Sequence, residues 1–166
     1  DKSGTAYLFG GTTDSEQTNA GGTFRWCLRK VVATSGNFLT VTYTKDQGQI
    51  YFSRIDYTGH ETGGVQDLAP ANRVEFVTEA RPADSEVSYR SGYQVKTALR
   101  LKEIAAYAGQ QLARKYVLGY ATSLRTGRSM LASVTQVGSD NATTLPPARF
   151  TYQDTGSASY PNILSN

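Results

Sequence analysis

The chain has 166 residues, 17 Lys and Arg against 14 Asp and Glu, a formal charge of +3 and a sequence pI near 9.0. Hydrophobic residues at 39% and charged residues at 19% suit one globular domain with its own core rather than a disordered segment. No run approaches the roughly 18 apolar residues of a membrane helix. The basic residues are scattered, which favours an acidic partner only weakly and gives no reason to expect nucleic acid.

The chain opens on "DKSGTAYLFG", with neither a starting methionine nor a signal-peptide pattern, and reads as a mature or excised piece of something longer. Eleven tyrosines and sixteen glycines point to β structure with many turns. Residues 23–33, "TFRWCLRKVVA", alternate Phe24, Trp26 and Leu28 against Arg25 and Arg29, predicting a half-buried strand with Trp26 in the core. Cys27 within it is expected to be a buried, inert thiol; being alone, it forms no internal disulfide and no cysteine-based metal site. "FLTVTYTKD" (38–46) and "IYFSRIDYT" (50–58) follow across short polar turns, so the three runs predict an antiparallel meander.

Residues 59–72 read as a Gly-rich surface loop, 73–80 as a strand, and 81–92 as a second long loop opened by Pro82. Strand-like runs recur at 128–138 and 148–154, and the last twelve or so residues are polar and loosely held. The domain is expected to span 1–154 with a tail at 155–166. Residues 95–116 are ambiguous. Their alanine, leucine, lysine and glutamate content suits a helix, yet 97–107 and 111–121 also read as two strands turning at "AGQQ".

Several short patterns recur in a fixed order: "IDYTG" (55–59), "RVEF" (73–76), "RPAD" (81–84), "RLKEI" (100–104), "YVLGY" (116–120), "GRSML" (127–131) and "LPPARFTY" (145–152). With the Trp-containing strand and the Gly-Asn turn before them, they resemble the N-terminal shell region of the bacterial virulence-plasmid B protein and insecticidal-toxin-complex B component, a family related to YD-repeat (RHS) proteins. The matches run from about Phe9 to Tyr152. The resemblance implies an all-β fold, an antiparallel meander forming a curved sheet or β-sandwich with two long loops. It also implies that 97–107 and 111–121 are strands. The role it implies is a non-catalytic shell segment of a large secreted or cell-surface toxin-like protein, packed against neighbouring domains of its parent. The arginine, Ser-x-Ser and Glu-x-Glu elements of the relatives' ADP-ribosyltransferase domain are not found together here, so that activity is not carried over.

No strong catalytic constellation stands out. His60, the single histidine, follows Gly59 and is expected in an exposed turn, with Asp56 and Tyr57 on opposite strand faces. One histidine with one distant cysteine cannot supply a zinc site, and no cofactor fingerprint is present. Glu75 and Glu79 share a strand face about 13 Å apart, too far for glycosidase geometry, and are expected to pair with arginines. A second functional expectation is a carbohydrate-binding module for an acidic (sulfated or uronic-acid) polysaccharide. Tyr57, His60, Arg81, Tyr89, Arg90 and Tyr93, in or beside the two loops, are its candidate ligand-binding residues.

Overall fold

The computed structural model describes residues 1–153. It contains β1 (Ala6–Phe9), β2 (Glu16–Asn19), β3 (Gly22–Trp26), β4 (Leu28–Val32), β5 (Asn37–Asp46), β6 (Gln49–Thr62) and β7 (Val65–Leu68). There follow β8 (Asn72–Ala80), β9 (Glu86–Ser88), β10 (Val95–Thr97), β11 (Leu99–Ala108), β12 (Gln111–Thr122), β13 (Ser129–Val137) and β14 (Ala148–Arg149). One ten-stranded antiparallel sheet runs β1-β4-β5-β6-β8-β11-β12-β13-β14, with β7 folded back on the end of β6. Two small hairpins, β2–β3 and β9–β10, stand apart from it. The expected domain limit at residue 154 and the tail at 155–166 lie outside the described residues.

The expected meander is β4–β5–β6, paired Val31↔Leu39 and Val41↔Ile55. Residues 95–116 resolve to strands. β11 is paired on both sides, to β8 through Ile104↔Phe76 and to β12 through Ile104↔Tyr116. A strand held between two others gains ladder hydrogen bonds and cross-strand packing that outweigh helical propensity. Gly109, which would have interrupted a helix, takes φ of 59° in the hairpin turn.

The run 23–33 is not one strand. Cys27 breaks it: its amide donates to the Ser15 carbonyl (2.7 Å) and its carbonyl accepts from the Gly10 amide (2.9 Å). Before this point the chain pairs with β2, and after it with β1 and β5. The strand face therefore does not carry through, and Trp26 is 54% exposed rather than core. Its indole lies on the backbone of Gly10, where a Cβ would come within 2.4 Å of Cδ1. Cys27 itself is half-buried and packs against the core edge.

The two expected loops are also partly strand. β7 occupies part of 59–72, and β9 part of 81–92. Near the C-terminal end, the run expected at 148–154 is described to residue 153, where it contributes two residues of strand.

Val41, Tyr43 and Ile50 form the core cluster, with Leu39, Ile55 and Cys27 packed against it. The Tyr43 hydroxyl donates to the Leu28 carbonyl at 2.7 Å, tying β5 to β4. From Tyr43 an aromatic ladder crosses the sheet to Phe52 (5.2 Å between centroids) and on to Phe76 (5.7 Å). Opposite charges pair along the strands as expected: Arg73 with Glu75 and Arg100 with Glu79, each at 2.7 Å. Arg100 also donates to the Ser129 hydroxyl (2.6 Å) and lies 4.3 Å from the Tyr120 ring centroid.

Candidate binding surface

The β5–β6 turn organises a cleft at one end of the sheet's central strands. Gln47 (φ 47°) and Gly48 (φ 82°) both occupy the left-handed region, the pattern of a two-residue turn matched to the right-handed twist of strands. A Cβ on Gly48 would lie 2.8 Å from the Gln94 carbonyl oxygen, so close approach of another backbone also requires glycine. That backbone belongs to the segment entering β10, and the Lys96 amide donates to the Gln47 carbonyl at 3.0 Å. On the other side Gln17 of β2 donates its Nε2 to the Gly48 carbonyl. The two small hairpins thus dock on one turn and leave a cleft of about 460 Å³ between them.

Gln17, Phe24 and Arg25 line this cleft from the first hairpin, and Glu86, Ser88 and Arg90 from the second. Gln17 and Arg25 are direct cross-strand partners. Phe24 meets Tyr93 edge-on, with ring centroids 5.6 Å apart and planes at 81°. The Tyr93 hydroxyl is buried without a hydrogen-bond partner, and burial raises its pKa above the ordinary tyrosine value. Tyr89 projects next to these groups, its hydroxyl 3.4 Å from Gln94 Oε1.

The six residues expected to bind ligand do not converge. Tyr89, Arg90 and Tyr93 gather at or beside the cleft. Tyr57 is half-buried in β6 and lines a separate dent with Phe38 and Leu39. Arg81 is bound to Asp84 (2.8 Å) and to the Leu99 carbonyl (3.2 Å), at the border of an apolar hollow that Phe52, Phe76 and Leu101 also line. His60 lies elsewhere again.

His60 is a strand residue, not a turn residue. β6 continues through Gly59 and His60 to Thr62, pairing with Asn37 on one side and Leu68 on the other. Gly59 is needed for packing, since a Cβ there would sit 2.5 Å from the buried Phe38 ring. His60 Nδ1 is 2.6 Å from Asp67 Oδ1 and Nε2 is 2.9 Å from the Ser35 carbonyl. Both neighbours are acceptors, an arrangement that favours the doubly protonated ring, in which both nitrogens donate. Its pKa is raised, first by Asp67 and then by the Ser35 carbonyl. Neither nitrogen is left to take a proton from a nucleophile, so His60 is poorly arranged for general-base chemistry. Among the described residues no three His, Cys, Asp or Glu side chains gather as a metal site.

Arg25, Gln17 and Phe24 were not read as site residues in the sequence. The alternation of 23–33 set Arg25 opposite Phe24 and Trp26, whereas in the structure Arg25 and Phe24 line the same cleft.

A broad antiparallel meander with two hairpins docked on one of its turns is the class of fold. No family model matches the sequence, and no curated protein matches it. Solved structures do. The crystal structure of TcdB2-TccC3-Cdc42 superposes with a TM-score of 0.73 at 17% identity, covering 90% of this chain and 10% of that one. The Tc holotoxin pore of Photorhabdus luminescens gives 0.74 at 20% identity, covering 91% and 10%. The N-terminal domain of effector protein SpvB from Salmonella typhimurium strain LT2 gives 0.68 at 12% identity, covering 83% and 59%. The fold is therefore the one these toxin-complex and SpvB structures contain, in agreement with the resemblance read from the sequence motifs. The chain spans about a tenth of the toxin-complex chains it resembles.

Proposed function

We propose that this chain is a non-catalytic structural module, one section of the shell of a large secreted or cell-surface toxin-like protein, completed by neighbouring domains of that parent. The observation that carries this reading is the exposed Phe52 and the apolar hollow beside it. Among the described residues only seven hydrophobic side chains are buried, a thin core for a ten-stranded sheet. Phe52, central in the Tyr43–Phe52–Phe76 ladder, is 52% exposed, and an apolar hollow of about 430 Å³ lies beside it. Contiguous exposed apolar surface on a sheet marks a face that another element covers. The fold shared with parts of much longer toxin-complex chains supports the same reading.

The test is site-specific labelling in a Cys27→Ser background. A cysteine replacing Phe52 should react readily with a maleimide in the isolated chain and be protected in the full-length parent. Equal reactivity in both would sink the proposal.

A further inference from the structure

We propose that the cleft between the two small hairpins binds an anionic saccharide, a sugar bearing a carboxylate or sulfate. Charge is the first argument. Ion pairing occupies Arg54, Arg73 and Arg100 on the sheet and Arg81 just after β8. Arg25 and Arg90, one from each hairpin, line the cleft and have no carboxylate within ion-pair distance among the described residues. The one acid in the lining, Glu86, is held by Arg128 at 3.1 Å. Two guanidinium groups facing one space suit a planar carboxylate or a sulfate, which they contact through forked donors.

The remaining lining decides for a sugar. Around the arginines stand neutral hydrogen-bonding groups, Gln17, Gln49, Ser88 and Ser91, which match a ring of hydroxyls. Phe24, 39% exposed, met edge-on by Tyr93 and with the Arg25 guanidinium 5.4 Å from its ring centroid, adds an apolar surface to the lining. Gln17 adds a further mark. It is 2% exposed, and its Nε2 is fixed as donor by the Gly48 carbonyl and by Gln49 Oε1 at 3.4 Å. Its Oε1 is left as a buried acceptor with no partner, which a ligand hydroxyl would satisfy once the amide shifts toward the cleft. A peptide is read mainly along an open strand edge through its backbone, whereas here side-chain amides and hydroxyls surround one ring. At about 460 Å³ the cleft falls in the range of small-ligand sites, roughly 300–1,000 Å³.

Affinity electrophoresis tests this with polygalacturonate, heparin, fully methyl-esterified pectin, dextran and polyglutamate, followed by calorimetry with oligomers of whichever polymer retards the chain. Retardation by polygalacturonate or heparin, and not by the esterified pectin or dextran, is expected; which of the two acts tells carboxylate from sulfate. Arg25→Gln and Arg90→Gln should each weaken binding about 10-fold or more, whereas Arg114→Gln, exposed on β12, should not. Should Arg25→Gln disturb the hairpin by circular dichroism, Arg90→Gln in the exposed segment after β9 carries the test. No retardation, or equal weakening by Arg114→Gln, overturns the site. Polyglutamate binding with the same arginine dependence overturns the saccharide assignment in favour of an acidic peptide.

Discussion

His60 Nδ1 and Asp67 Oδ1 lie 2.6 Å apart, joining the long strand β6 to the flap strand β7 folded back on it. The same ring reaches the Ser35 carbonyl, so one side chain clasps β7 and the β4–β5 turn to β6. Asp67 is held below its ordinary pKa, first by the Thr62 hydroxyl and then by His60.

The pH dependence follows from the direction of that shift. A histidine whose folded pKa is raised contributes stability fully below its unfolded value near 6.5, and loses it as pH rises through the raised folded value. We predict that the wild-type melting temperature falls from pH 6 to pH 8 more steeply than that of His60→Gln. The His60 resonances should titrate with a midpoint above 6.5. Parallel pH profiles for the two proteins would refute the clasp.

Gly59 and Phe38 give a packing prediction. The buried Phe38 ring lies directly on the Gly59 backbone, with no room for a methyl group. Gly59→Ala should destabilise by about 1–3 kcal/mol, the range for overpacking. A Phe38→Leu change should recover part of that cost in the double variant, read as non-additivity in urea midpoints. Strict additivity would show that the ring is not what excludes the methyl.

Tyr43 gives a spectroscopic prediction. Burial, ahead of the nearby Cys27 and Asp14, pushes its pKa up to about 12. In an ultraviolet titration of the folded chain, Tyr43 should ionise late together with Tyr93 and Tyr120, whose pKa values burial also raises. Tyr43→Phe should lower the late amplitude by one tyrosine and cost about 1 kcal/mol, because the Leu28 carbonyl loses its donor. An unchanged late amplitude would overturn the assignment.

Arg100 is positioned by a planar fork. It donates to Glu79 and to Ser129 and rests over Tyr120, ties that bridge β8, β11 and β13. Arg100→Lys keeps the charge but loses the fork and the stacked plane, so a loss of about 1–2 kcal/mol is expected. Lys115→Arg on β12, a point-charge contact to Glu103 at 3.3 Å, should change stability by less than about 0.5 kcal/mol. Equal effects from the two changes would rule out a geometric role for Arg100.

The central strands were legible because alternation is a local property: 38–46, 50–58 and 73–80 show it, and each is strand in the structure. The 97–121 hairpin was not legible from composition, since its leucines and alanines satisfy a helix equally well; the order of motifs around it settled the reading. Three features escaped for one physical reason, that a distant segment decides them. Cys27 breaks its strand because residues 10–15 take its hydrogen bonds. Gly59 looked like a turn signal, but the Phe38 ring demands it. Arg25 and Arg90 come to one cleft only because two hairpins dock on the Gln47–Gly48 turn. The carbohydrate-binding expectation accordingly named Arg90 but missed its counterpart.

From β4 onward the strands of the main path stand side by side almost in the order in which the chain supplies them. Each new strand finds its partner already in place, so loop closures stay short and the main-path sheet from β4 onward can grow like a ribbon. β1 is the exception, waiting at the edge until β4 arrives past the intervening β2–β3 hairpin. A sheet of this kind tolerates lengthening at its late edge without rethreading, because a new strand needs only the last one as its partner.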